Sequence, residues 1–195
     1  MNRVQLALIV TFSFLMTAAD AASAAFVHIV AFGDSATAGY LVPRSDAYPA
    51  QLQAALRKRG YDVAVANEGV NGDTIAGALR RFDQAIAPGT NIAIIEVGTN
   101  DLRAGASMQT VRARLAELIR SLRARGIEVL VIGLASLDLS SVEKENNVLY
   151  AQWNLPPGKY RARDHAHYNA QGYAIVVARM LPLVETLIAR VAARR

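Results

Sequence analysis

A chain of 195 residues, 53% of them hydrophobic and 19% charged, is long enough to bury one sizeable core and too short for two ordinary domains. Lysine and arginine number 21 against 16 acids, a formal charge of +5. The basic residues are spread along helix faces and the C-terminal "RVAARR" without interleaved aromatics, which argues against a nucleic-acid partner and leaves at most weak peripheral contact with anionic lipid or polysaccharide.

The first stretch reads as a signal peptide over residues 1–24, followed by a single domain over 25–195. "MNR" supplies a positive start, Val4 to Ala19 a mostly apolar run, and "ADAASAA" the small residues of a cleavage site after Ala24. An uncleaved anchor is the alternative, but the run falls short of the ~20 residues that span a bilayer. The chain has no cysteine, hence no disulfide framework and no lipid-modified N-terminal cysteine. The expected product is a soluble monomer in the periplasm or outside the cell.

Apolar, β-branched runs at 26–32, 62–66, 91–97 and 127–134 alternate with segments of helical spacing. Asp46 is placed to cap a helix through about Arg59, with Pro49 in its first turn and Gly60 ending it. Thr74 is placed to cap the next, with Ile75, Leu79, Phe82 and Ile86 as its stripe before Pro88-Gly89. Met108, Val111, Leu115, Leu118, Ile119 and Leu122 mark a third, stopped by Gly126. A short helix at 140–146, a fifth strand at 148–153 and a last helix from Asn169 or Ala170 to about Ala193 complete the chain. Strands separated by such helices form a parallel sheet covered on both faces, with ligands at the strands' carboxyl ends.

Four constellations fall at those ends. In "GDSATAGY", Ser35 follows the first strand, where it serves equally as a helix cap or a nucleophile. The stretch lacks the Gly-Lys-Ser/Thr ending of a phosphate loop, and the chain has no Gly-x-Ser-x-Gly elbow. Gly72 in "NEGVNGDT" and Asn100 in "VGTNDL" are either turn and cap residues or donors aimed at one place. In "RDHAHYN", Asp164 precedes His167 by three residues, a spacing that lets a turn bring the carboxylate to one ring nitrogen. The rival reading makes Asp164, His165 and His167 metal ligands. His28 is a packed strand residue, and Asp34 and Asp101 are structural carboxylates that tie down loops.

Together, in this order, "GDSATAG", "NGDT", "GTND" and "DHAHYNAQGY" resemble the SGNH, or GDSL-type, hydrolase family, over almost the whole chain from Val27 to about Leu183. The likeness is greatest to its bacterial exported thioesterases, lysophospholipases and arylesterases. The resemblance implies a flavodoxin-like three-layer α/β/α fold, Ser35 as nucleophile, Asp164 and His167 completing a triad, and Ser35, Gly72 and Asn100 as the oxyanion hole. It implies a serine esterase acting on small-molecule or lipid esters, with no metal or organic cofactor. Deacetylation of an acetylated polysaccharide by the same triad, a metal-dependent hydrolase and a non-catalytic binder of acylated glycans or lipids are the alternatives.

Ala36 stands where many members have leucine, and Tyr168 where proline is common; neither touches the chemistry. The stretch from Ala135 to Arg163 is compact for this branch. It leaves little length for a lid, so the expected pocket is shallow and open, suited to short and medium acyl chains.

Overall fold

The computed structural model describes residues 26–134, 137–155 and 158–195. The signal peptide read at residues 1–24 lies outside them. Among the described residues no helix is long and apolar enough to cross a membrane.

Five strands, β1 (Val27–Gly33), β2 (Val63–Gly69), β3 (Ile92–Glu96), β4 (Glu128–Leu134) and β5 (Leu149–Trp153), form one sheet in the order β2-β1-β3-β4-β5. Every adjacent pair is parallel. The crossovers are α1 (Ser35–Ala38), α2 (Tyr48–Lys58), α3 (Ile75–Arg80), α4 (Phe82–Ala85), α5 (Thr99–Arg103), α6 (Met108–Ala124) and α7 (Ser140–Asn146), and α8 (Ala170–Ala192) closes the chain.

Alternation along each strand divides the core in two. Ile29, Ala31, Ile92, Ile94, Leu130 and Ile132 pack under α2 and α8. Val30, Phe32, Ala93, Ile95, Val129 and Val131 pack under α3, α4 and α6. The result is the expected three-layer α/β/α sandwich. Because the central strands are covered on both faces, they read as continuous apolar runs rather than alternating ones.

Helix boundaries follow local chemistry. The Thr74 hydroxyl accepts from Gly77 N at 3.1 Å, Ser107 from Thr110 N at 3.1 Å, and the Asn169 amide oxygen from Gly172 N at 2.9 Å. The apolar stripe of α6 is buried as its spacing predicts.

Three expectations need correction. Asp46 does not cap α2: it ends a short 3-10 turn over Arg44–Asp46, and Ala47 stands at the cap without a side-chain bond. Gln51 Nε2 on α2 instead donates to the Asp46 carbonyl at 2.6 Å. The single helix expected from Thr74 to Ile86 is divided at Arg81 (φ −102°). Its guanidinium reaches back to the strand ends, donating to the Asp73 carboxylate (2.8 Å), the Glu68 carbonyl (2.9 Å) and the Gly33 carbonyl (3.1 Å) while lying over the Phe32 ring. Finally, β2 continues to Gly69 through the polar residues Asn67 and Glu68, which an edge strand tolerates because one of its sides is unpaired.

At the opposite end of the sheet from the strands' carboxyl ends, Glu128 opens β4 with only 1% of its surface exposed. Arg123 (3.2 Å), Arg190 (3.6 Å) and Arg194 converge on it, so α6 and the end of α8 are clamped to the sheet by one carboxylate.

Candidate active site

Strand β1 ends at Gly33 because no side chain fits there: a Cβ would lie 2.0 Å from the Thr37 hydroxyl and 2.5 Å from the Glu96 carbonyl. Asp34 follows. Its N–H donates to the Glu96 carbonyl at 3.1 Å, and its side chain caps α1 by accepting from Ala36 N at 3.0 Å. Ser35 is thereby the first residue of a four-residue helix that Gly39 terminates in left-handed backbone (φ 80°). From below, the buried Tyr173 hydroxyl donates to the Ala36 carbonyl at 2.8 Å. The serine is fixed at the carboxyl end of the sheet by bonds to its neighbours on both sides.

The turn before α8 supplies the partner. Asp164 Oδ1 accepts from the backbone N–H groups of Ala166 and His167, each at 3.1 Å, which folds residues 164–167 back on themselves. Asp164 Oδ2 lies 2.5 Å from His167 Nδ1, and His167 Nε2 lies 2.8 Å from Ser35 Oγ. The base of this turn is an antiparallel bridge between Arg161 and Tyr168, with Arg161 stacked 4.3 Å over the Tyr168 ring and bonded to the Leu155 and Ala166 carbonyls at 2.8 Å. Tyr40 meets the His167 ring edge-on at 5.0 Å. Desolvation pushes the Asp164 carboxyl up, but the hydrogen bonds from the His167 ring and the two backbone N–H groups outweigh it and hold the group down to about 2.

This order of atoms has a specific chemical competence. A carboxylate on Nδ1 fixes the tautomer that leaves Nε2 free to accept the serine proton, and it stabilises the imidazolium that results. His165, two residues away, is elsewhere. It is exposed, in left-handed backbone (φ 59°), and among the described residues is bonded only through its N–H to the Ala162 carbonyl. Among the described residues no group of three histidine, aspartate or glutamate side chains is arranged to hold a metal ion.

The oxyanion candidates are placed unequally. The backbone N–H groups of Ser35, in the first turn of α1, and of Gly72, in an exposed turn, have no acceptor among the described residues and are free to meet a ligand. Gly72 sits in an exposed turn with left-handed backbone (φ 76°) and open space where a side chain would be. The Asn100 amide is already engaged, donating to Asp34 Oδ2 at 3.0 Å and to the Asp73 carbonyl at 2.8 Å. A cleft of about 180 Å3 opens beside the serine, lined by Ser35, His167, Thr99, Arg103, Leu134 and Arg161; neither Gly72 nor Asn100 lines it.

The carboxylates read as structural behave so. Asp34 caps α1 and receives Asn100, and Asp101 accepts from Ile75 N at 2.9 Å and faces Arg114 at 3.6 Å. His28 is likewise a strand residue, its N–H bonded to Asn91 Oδ1. Two residues at the site were not singled out from sequence. Arg81 staples the loops after β1 and β2. Glu96 lies buried beneath Asp34, and its signal was an acid at the end of the otherwise apolar run "IAIIE", since a glutamate is almost never fully buried unpaired.

Residues 31–154 match the family model for the GDSL-like lipase/acylhydrolase family. The chain belongs to that family. Among its curated relatives are an arylesterase of Vibrio mimicus, 32% identical over 114 residues (58% of this chain, 57% of that protein), and the esterase TesA of Pseudomonas aeruginosa, 34% identical over 107 residues (54% and 53%). The match thus spans little more than half the length of these relatives. Solved structures of family members superpose more widely. The crystal structure of TesA covers 82% of this chain and 99% of its own with a TM-score of 0.73 at 23% identity, a likeness of fold. AlinE4, an SGNH-hydrolase family esterase, covers 82% and 95% with a TM-score of 0.62 at 28% identity. The family match ends before Asp164 and His167, so these two residues rest on the geometry above.

Proposed function

We propose that this acylhydrolase-family member is a serine esterase working through an acyl-enzyme on Ser35. The observation that carries the reading is the unbroken chain Asp164–His167–Ser35, with links of 2.5 and 2.8 Å. His167 Nε2 takes the Ser35 proton as Oγ attacks the ester carbonyl, then returns it to the leaving alcohol. Water, activated by the same nitrogen, releases the acid. The oxyanion is met by the Ser35 and Gly72 N–H groups, both without another acceptor among the described residues, and by the Asn100 amide once it shares or exchanges one of its present bonds. Esterase names among the relatives support the same activity.

The acyl group we assign is short to medium, because the cleft beside Ser35 is small, about 180 Å3. We further propose that the domain is exported after cleavage behind Ala24, on the strength of the basic start, apolar run and small-residue stretch at the N-terminus.

A fluorophosphonate probe tests the central reading. Labelling of the purified protein that disappears in Ser35→Ala, alongside hydrolysis of p-nitrophenyl butyrate, is the expected result. A protein that neither labels nor hydrolyses esters, thioesters or acetylated sugars is not an esterase of this type.

A further inference from the structure

Directly beneath the nucleophile turn lies a second carboxyl group. Glu96, the last residue of β3, pairs in register with Gly33, and its carbonyl accepts the Asp34 N–H. Its side chain is 1% exposed. One carboxyl oxygen accepts from the Thr37 hydroxyl at 3.1 Å, and Asp34, whose N–H is held on the Glu96 carbonyl at 3.1 Å, is the neighbouring buried acid. Asp34 in turn holds Ala36 N, at 3.0 Å, and the Asn100 amide, at 3.0 Å. Among the described residues no lysine, arginine or histidine forms an ion pair with either acid.

Two neighbouring carboxyl groups, both buried and without a cation, carry one negative charge at lower free energy than two. The proton goes to the one whose anion is less well solvated. Asp34 has the N–H donors of Ala36 and Asn100 to support a negative charge, whereas Glu96 has a single hydroxyl. Burial first, then the charge of Asp34, pushes the Glu96 carboxyl well above its ordinary range, while burial raises Asp34 against the donors that lower it. The other titratable groups around the pair are the Tyr48 and Tyr173 phenols, both kept neutral by burial, and His167, whose positive charge when protonated favours the Asp34 anion.

We infer that Glu96 is a positioning residue: as a neutral acid it donates a hydrogen bond to the Asp34 carboxylate, and through Asp34 it sets both the turn that presents Ser35 and the bearing of the Asn100 amide. This inference deepens the esterase reading and rests on it. A single negative charge then organises the nucleophile turn and one oxyanion donor, and a second charge at Glu96 would repel it. The role needs a donor at position 96, not a charge.

Glu96→Gln and Glu96→Met separate the possibilities, because both fill the space and only glutamine donates. With p-nitrophenyl butyrate at pH 7, Glu96→Gln is expected to keep kcat close to wild type. Glu96→Met leaves a buried carboxylate without its donor and is expected to lower kcat about 10- to 100-fold, with KM little changed. Equal activity of the two variants would reduce Glu96 to a space-filler, and a glutamine variant as poor as the methionine one would show that an anion is required; either overturns the inference.

If Glu96→Met does not fold, the pH dependence of stability decides. Glu96→Gln should gain in urea stability on wild type as pH rises above 4.5, and a constant difference overturns the assignment. Failure of the esterase reading looks different: wild type itself would then neither hydrolyse the ester nor take the fluorophosphonate label.

Discussion

The side-chain amide of Asn100 is bound to the carboxylate of Asp34 at 3.0 Å, and its second N–H is bound to the Asp73 carbonyl at 2.8 Å. Before substrate arrives, the amide is therefore fully occupied. An oxyanion competes for it most strongly when its charge is complete, which is the condition for a donor that acts on the transition state more than on the substrate. Asn100→Ala should lower kcat by on the order of 10²-fold with little change in KM, and fluorophosphonate labelling of Ser35 should slow but persist. Unchanged kcat in steady-state assays would leave Asn100 as a loop tie only.

The two neighbouring histidines should behave oppositely. Ser35→Ala and His167→Ala are expected to remove nearly all ester hydrolysis, whereas His165→Ala keeps most of it, because that ring is outside the hydrogen-bonded chain. His165→Gly should be at least as stable as His165→Ala, since the left-handed backbone favours glycine. Comparable losses at both histidines would revive the metal-site reading.

Asp164 should not be the source of an acid limb in the physiological range. Its carboxyl is held down to about 2, so its favourable contacts are complete above the ordinary value of 3.8 and are lost only as pH falls toward 2. Asp164→Asn is therefore expected to lower kcat at every pH from 5 to 9, because the carboxylate that orients the His167 ring is charged throughout that range. A variant that kept wild-type kcat over that range would contradict the assignment.

For Glu96 the sign is reversed. A raised carboxyl retains its proton in the folded state after the unfolded chain has released it, so its contribution to stability is complete below about 4.5 and declines as pH rises toward and through the folded value. Glu96→Gln has no such loss. Urea unfolding should find the variant gaining on wild type as pH increases from 4.5 to 8, and a constant difference would show that Glu96 does not carry the proton.

Acyl-chain preference should flatten early. Each methylene buried by an enclosed tunnel adds about 0.8 kcal/mol, but a cleft of about 180 Å3 covers few of them. Esters from p-nitrophenyl acetate to hexanoate should be hydrolysed better than the palmitate. A kcat/KM that climbs through twelve or more carbons with monomeric substrates would require a groove that this cleft does not provide.

Export predicts a mature N-terminus near Ala25 and a protein that stays in the supernatant when membranes are sedimented. Edman sequencing of the cell-envelope fraction tests both; an intact Met1 in the membrane pellet would favour an anchor.

The sequence exposed what depends on short range. Asp164 and His167 are three residues apart and Ser35 stands at the end of an apolar run, but it was the family resemblance that implied the three belong together. The parallel sheet covered on both faces followed from apolar runs alternating with helical stripes, whereas the order of its strands came only with the structure. The Arg81 staple was not legible, because its carbonyl acceptors at Glu68 and Gly33 carry no side-chain signature. The Asn100 contact with Asp34 was equally hidden: the two residues are 66 positions apart and meet only because β1 and β3 are neighbours. Asp46 misled because a polar residue before Pro49 looks like a cap, while the chain makes one more tight turn before the helix begins.

Ser35 and the His167 ring bonded to it belong to parts of the molecule with different anchoring. Ser35 is attached to a central strand, whereas Asp164 and His167 ride on a turn whose residues 163–166 are exposed and whose footing is the Arg161–Tyr168 bridge, the Arg161 and Asn169 hydrogen bonds and the buried Tyr168 ring. Segments held by few buried contacts open at lower free energy than the sheet beneath them. The turn is thus the first place where gentle warming or dilute urea acts, and catalysis would fade while the circular dichroism of the sheet and helices is still intact. Cooling or dilution would restore it without refolding, so an assay at elevated temperature reads the closure of this turn before it reads the stability of the fold.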